Sequence, residues 1–163
     1  MMEGINYTER TPGIMTIEVL QSSKISSLIL QILISISFLI PIGATIFLVI
    51  TFELKPAILI TYVIFWATGY YFLKLYLWNK YGKEIIYLEK ENVICVADYK
   101  LFKGNRREIS ANNIKIKIQN SKGEIENLGT LVISDGNINI DSVIEVPINE
   151  LVELKYRIEK YYA

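Results

Sequence analysis

The sequence predicts an α+β membrane protein: a two-helix transmembrane hairpin joined to a small antiparallel β domain that ends in a helix. Three observations predict it. Residues 25–52 form a run of 28 without a charge, and residues 56–73 form a second such run of 18. From Gly82 onward, short β-rich stretches alternate with turn residues. Residues 147–162 then return to helical spacing.

A length of 163 residues suits one small domain with a membrane anchor. Hydrophobic residues make up 52% and charged residues 21%, an average that hides a split between two apolar runs and an ordinary charged remainder. Seventeen Lys+Arg balance seventeen Asp+Glu, so no basic excess points to a nucleic-acid polymer. The chain has no histidine, which removes the commonest general base and metal ligand. Its single cysteine, Cys95, excludes disulfide frameworks and Cys-based zinc sites within one chain.

The first span, 25–52, is apolar all round, as a helix bathed in lipid must be. As a helix it would reach about 42 Å at ~1.5 Å per residue, more than the ~30 Å hydrocarbon core. A signal peptide fits poorly, because the run is too long, begins late and lacks a small-residue cleavage site. Pro41 lies mid-span, where a membrane helix tolerates a kink if its neighbours satisfy the freed carbonyl. The second span is expected over 56–76, with Pro56 in the first turn. Its far end carries Tyr70, Tyr71, Phe72, Tyr76, Trp78 and Tyr81, the composition of an interfacial belt, and Lys74 can snorkel there to headgroups. Lys74, Tyr76, Trp78 and Tyr81 are the expected membrane-interface residues. The link at 51–56 is short, so the spans form an antiparallel hairpin. Lys24, Lys74, Lys80 and Lys83 outweigh Lys55, which places both termini in the cytoplasm.

Beyond residue 79 a cytosolic β domain is expected. Residues 84–89 and 92–99 read as strands, and 106–110 follow a hairpin turn expected at Lys103-Gly104-Asn105. Residues 114–118 alternate strictly, Ser121-Lys122-Gly123 is a turn, and 129–134 and 137–141 are strands joined through Asp135-Gly136. Regularly spaced strands of this kind suggest a barrel or a sandwich. In 147–162, Ile148, Leu151, Leu154, Ile158 and Tyr161 form one apolar stripe, a natural plug for the open end of a small barrel. Residues 14–20, within an N-terminal segment 1–24, are rich in β-branched side chains and cannot stand alone as a strand. With both termini on one side, they can add to the C-terminal sheet.

The layout of strand, two-helix hairpin, strands and last helix, with the passage Trp78-Asn79-Lys80-Tyr81-Gly82-Lys83-Glu84-Ile85-Ile86, resembles small bacterial two-span membrane proteins with a pleckstrin-homology-like domain. The resemblance runs from about residue 14 onward. It implies a PH-like β-barrel closed by the C-terminal helix, in the bacterial inner membrane. It implies no catalytic residues, cofactor or agreed ligand. The cytosolic part is short for such a barrel, which leaves a strand missing or supplied by the N-terminus.

The most functional-looking cluster is Lys100, Lys103, Arg106 and Arg107 around Gly104, which could contact a phosphate, a lipid headgroup or the anionic membrane face. The plainer reading is a solvated turn partly balanced by Glu108. Cys95, inside the apolar stretch 93–97, reads as a buried small hydrophobe rather than a reactive thiol. Nothing local brings Asp98 and Glu108 together as a carboxylate pair. No metal site, phosphate-binding glycine pattern or nucleophile elbow is present in the sequence. The expectation is a non-enzymatic membrane-anchored binding or scaffold protein. It contacts membrane lipid and either a protein partner or a second copy through the transmembrane hairpin. Two alternatives stand beside it. One is a membrane-disrupting effector gated by a cyclic oligonucleotide, with Tyr99 and Phe102 beside the cations. The other is an immunity or assembly factor docking on one membrane partner.

Overall fold

The computed structural model describes residues 13–19, 22–51, 56–120 and 127–162. Two compact units divide the chain: one takes the described residues of Met1–Leu20 and Tyr81–Ala163, the other those of Gln21–Lys80.

The second unit is a helical pair. Helix α1 spans Lys24–Ile50 and helix α2 spans Ala57–Tyr81; both are long and apolar enough to cross a membrane. Ser23 caps α1, its Oγ accepting from the Ser26 amide at 3.2 Å. Relative to the expected spans, α1 ends two residues earlier than residue 52, and α2 continues five residues beyond residue 76. Trp78 and Tyr81 therefore lie on the helix rather than after it. The helix runs through Pro41, whose missing N–H leaves the Ser37 carbonyl without its helical donor.

Cross-helix partners descend along α2 as they ascend along α1, so the helices are antiparallel. Gln31 Nε2 donates to Tyr76 Oη at 2.8 Å, Phe38 lies 6.2 Å from Trp66, and the Thr45 and Tyr62 hydroxyls share a 2.9 Å hydrogen bond. Gly69 is where the backbones close up: a Cβ there would stand 3.0 Å from Ser37 Cβ and from the Phe38 ring. In α1 the buried residues are Ser37 and Pro41, while large apolar side chains such as Ile25, Phe47 and Ile50 are exposed. The small residues Ser37 and Gly69 mark the closest approach, flanked by aromatic partners, while Ile25, Phe47 and Ile50 stay exposed.

The other unit contains two antiparallel sheets and one helix. The first sheet has the order β1-β2-β3-β4, from Ile14–Glu18, Lys83–Leu88, Asn92–Asp98 and Lys103–Ser110. Strand β1 pairs with β2 from Ile14↔Tyr87 to Glu18↔Lys83, and the Val19 amide donates to the Gly82 carbonyl at 2.9 Å. The chain thus leaves the sheet after β1 and returns to it beside its point of departure. The second sheet joins β5 (Lys115–Asn120), β6 (Leu128–Ser134) and β7 (Asn139–Asp141), with β8 (Val146–Pro147) on β6. The turn expected at Ser121-Lys122-Gly123 lies outside the described residues. Asp135-Gly136 is a turn as read: Gly136 has φ +96°, and Asp135 Oδ1 accepts from the amides of Asn137 and Ile138. Those amides hold the Asp135 carboxyl below its ordinary range, Ile138 contributing most.

Helix α3 (Ile148–Tyr162) lies against β5, β6 and β8 and buries Leu151, Leu154 and Ile158. Gly129 permits the approach, since a Cβ there would meet the Gln119 carbonyl at 2.9 Å and Leu151 at 3.2 Å. The core combines Met15, Ile17, Ile86, Leu88, Val93 and Ile109 of the first sheet with Ile116, Leu131, Ile133 and Ile140 of the second. Each set follows the two-residue alternation of its strand.

The expected closed barrel is corrected here: among the described residues the two sheets share no ladder. Their edges approach at β4 and β7, where Arg107 Nη1 donates to the Asp141 carbonyl at 2.7 Å. At the far end of α3, Tyr162 Oη donates to the Glu89 carbonyl at 2.8 Å, so the helix reaches the first sheet as well.

Candidate functional site

The cation cluster lies on the β3–β4 hairpin, whose turn is four residues earlier than the sequence suggested. The Tyr99 amide donates to the Phe102 carbonyl at 3.0 Å, and Asp98 faces Lys103, so the turn is 99–102. Lys103-Gly104-Asn105 instead opens β4. There the ladder slips between Cys95↔Arg107 and Ala97↔Gly104, with Asn105 at φ +51°. A bulge of this form needs a residue that tolerates the left-handed region, and asparagine is one. The Gly-Asn signal was real, but it encodes a bulge.

The bulge separates the four cations into two groups. Lys100, Lys103 and Arg106 are exposed. Lys100 Nζ stands 3.9 Å from the centre of the Tyr81 ring, a cation–π contact, and its amide donates to Asp98 Oδ1 at 2.7 Å. Lys103 Nζ reaches Tyr87 Oη at 3.4 Å, and Arg106 pairs with Glu108 at 3.0 Å. Arg107 leaves the group. Its Nη2 donates to Glu84 Oε1 at 2.8 Å, and its Nε is buried without a partner.

Glu84 is the functional-looking residue that sequence reasoning passed over. It is 1% exposed, on the inward face of β2 beside Ile86 and Leu88. Arg107 of β4, the Ser142 hydroxyl at 2.6 Å and the Val143 amide at 3.2 Å all donate to it. Together with the Arg107–Asp141 bond, this links the first sheet to the β7 end of the second. A buried carboxylate is tolerated only when paired and hydrogen-bonded, and this one is both. Its neighbour Lys83 pairs with Glu18 across the β1–β2 ladder. The passage Gly82-Lys83-Glu84 thus ties β2 both to β1 and to the second sheet.

The expected interface residues Lys74, Tyr76, Trp78 and Tyr81 all lie on the last turns of α2. Tyr76 Oη accepts from Gln31 Nε2 and from Lys80 Nζ at 2.9 Å. Gln31, a carboxamide inside the first apolar run, is a second residue that composition alone did not single out.

Chemically the β unit offers charge and hydrogen bonding. Among the described residues no group of three His, Cys, Asp or Glu could hold a metal ion. Burial, reinforced by the field of Glu84, pushes the Cys95 thiol up to about 12, which makes it a poor nucleophile. Tyr99 is buried and stacks on Phe102 at 4.9 Å, so each ring gives one face to the other. Asp98 caps the turn, whereas Glu108 binds Arg106 and accepts from Asn92 Nδ2; the two carboxylates serve separate partners. A groove of about 280 Å³ runs between α3 and the strands, lined by Asn113, Ile114, Ile116, Ile158 and Tyr162 among others. The tip of the β3–β4 hairpin, with the exposed residues Lys100, Leu101, Lys103 and Arg106, is the candidate site. No protein-family model, curated protein or solved structure matches this chain.

Proposed function

We propose that the chain is a non-enzymatic, membrane-anchored binding or scaffold protein of the bacterial inner membrane, presenting a PH-like β unit on the cytoplasmic side. The observation that carries this reading is the place of the helical pair in the β fold. Strands β1 and β2 are ladder neighbours, and the Val19 amide bonds to the Gly82 carbonyl. A segment that leaves and re-enters through one hydrogen-bonded point has both ends on one side of whatever it crosses. The two helices expose apolar side chains along their length, as lipid-facing helices do. Four strands, a second sheet and a C-terminal helix on that sheet support the PH-like reading.

Lys100, Lys103 and Arg106 then serve as contacts for anionic headgroups, each worth about 1 kcal/mol near such a surface. Arg107 is assigned to the fold. The test uses the full chain in its host membrane. It should remain in the pellet after alkaline carbonate extraction. Reporters at Met1 and Ala163 should read cytoplasmic, and one near Glu53 external. Release by carbonate, or termini on opposite sides, would overturn the proposal.

A further inference from the structure

We propose that the β3–β4 turn is a membrane wedge: Leu101 enters the boundary between headgroups and acyl chains of an anionic phospholipid bilayer, while Lys100 and Lys103 hold the phosphates on either side. This rests on the membrane-anchored reading above and adds a depth and a residue to it.

The turn has an unusual division of labour. Its two inner residues, Tyr99 and Phe102, stack on each other and form a firm base. Its outer residue Leu101 is 70% exposed, among the most exposed large apolar side chains of the β unit. The backbone is held by the Tyr99–Phe102 hydrogen bond and by Asp98 Oδ1 on the Lys100 amide, so the tip is shaped before it meets anything. A leucine at the apex of a rigid turn gains nothing from water.

Lys100 adds a second, independent observation. Four non-glycine residues have positive φ among the described residues: Asn105, Asn113, Asn127 and Lys100 at +75°. Asparagine tolerates that region, whereas a long side chain is strained there. The strain accompanies a side chain whose ammonium is directed over the Tyr81 ring. Tyr81 belongs to the same compact unit as the turn, so this contact lies within the β unit. A cation on each side of an apolar apex matches a surface that is anionic outside and apolar beneath. A free phosphate or nucleotide would satisfy the cations and leave Leu101 in water.

The experiment places a nitroxide at Leu101→Cys in the full chain, reconstituted into vesicles of phosphatidylglycerol mixed with phosphatidylcholine. Buried Cys95 should take no label, which the unsubstituted chain verifies. Asn137→Cys, on the exposed β6–β7 turn, is the aqueous reference. Collision with dissolved oxygen reports acyl chains, and collision with a water-soluble nickel chelate reports solvent. The label at 101 should show high oxygen access with loss of nickel access, and the label at 137 the reverse. In vesicles of phosphatidylcholine alone, nickel access at 101 should recover in part. Equal nickel access at 101 and 137, in a chain that resists carbonate, overturns the wedge and leaves the anchored reading standing. A label at 101 shielded from both reagents is covered by protein, and this too overturns the wedge. Shielding that is unchanged without phosphatidylglycerol overturns the role given to the cations. Release of the chain by carbonate overturns the anchored reading and the wedge with it.

Discussion

The helical pair and the β unit bury opposite kinds of residue. The β unit hides Val93, Leu151 and Ile158 and turns its charges outward. The helical pair hides Ser37, Pro41 and Gly69, with Leu77 as a buried large apolar side chain near the end of α2, and turns Ile25, Phe47 and Val63 outward. On the proposed membrane-anchored reading, the inversion is what one chain needs for two solvents. In water, burial of apolar area drives the packing. Between helices in lipid that drive is absent, and close approach plus a few polar bonds must substitute for it. The same hydrogen bond should therefore be worth different amounts in the two units.

The largest effect is expected where the β unit breaks its own rule and buries a charge. Arg107→Met leaves Glu84 buried without its cation, which should destabilise the β unit by about 3 kcal/mol. Glu84→Leu together with Arg107→Met should recover most of that loss, because an apolar pair of similar volume needs no partner. Urea unfolding of the full chain, followed by hydrogen exchange at β2 and β6 amides, measures both. If Arg107→Met is as stable as the parent, or the double variant is no better than the single ones, the Glu84–Arg107 pair does not carry the inter-sheet contact.

Next comes packing. Gly129→Val must displace the Gln119 carbonyl, 2.9 Å from the new Cβ, or push α3 away through Leu151. Overpacking of this kind costs about 1–3 kcal/mol. The same exchange measurement should show the loss in β5, β6 and α3. Full stability would mean that the helix has room to slide on the sheet.

Much of this was legible in the sequence, and the exceptions have physical causes. The two apolar runs and the stripe Leu151, Leu154, Ile158 were readable because the periodicity is local. Strand β1 was readable from its β-branched content and from the expectation that both termini lie on one side, within reach of the later strands. The turn was misplaced because Gly104-Asn105 satisfies a tight turn and a bulge equally well; only the pairing of β3 decides between them. Glu84 shares its parity with Ile86 and Leu88, which is a usable sign of an inward carboxylate. Its partners, however, lie 23 and 58 residues away, where no local pattern points. Barrel closure was unreadable for a similar reason, since it depends on how the β4 and β7 edges meet.

Two tyrosines sharpen the contrast between the units. Tyr162→Phe removes the bond to the Glu89 carbonyl and should cost about 1 kcal/mol. Burial also pushes the Tyr162 phenol up to about 12, from an ordinary value of 10.0. A raised folded value stabilises fully below the unfolded value and is lost as pH climbs through the window between 10 and 12. The parent should therefore lose stability more steeply than Tyr162→Phe over that alkaline range. Parallel pH curves would mean that the phenol titrates as it does when unfolded. In the helical pair, Tyr62→Phe removes the bond to Thr45 and should cost only about 0.6 kcal/mol, because chains within a bilayer find other partners. Measured by helix-pair unfolding in mixed micelles, a cost above that of Tyr162→Phe would reverse the comparison.

The smallest effect on stability is expected at the exposed cations, and it separates them from Arg107 on the same strand. Lys100, Lys103 and Arg106 contact ring faces, a phenol oxygen and an exposed carboxylate, all at the surface. Surface pairs of this kind contribute about 0–1 kcal/mol, and exposed substitutions usually stay within about 0.5 kcal/mol. Replacing all three by Gln removes the Lys100–Tyr81 contact but keeps the strained backbone at residue 100, so the net change should remain about 0.5 kcal/mol or less. The melting temperature of the solubilised full chain should hardly move. Attraction of the β unit to anionic lipid should fall, and the parent's attraction should itself fade as salt shortens the Debye length. If the triple variant unfolds as readily as Arg107→Met, the bulge does not divide the four cations into surface and core, and the turn is part of the fold.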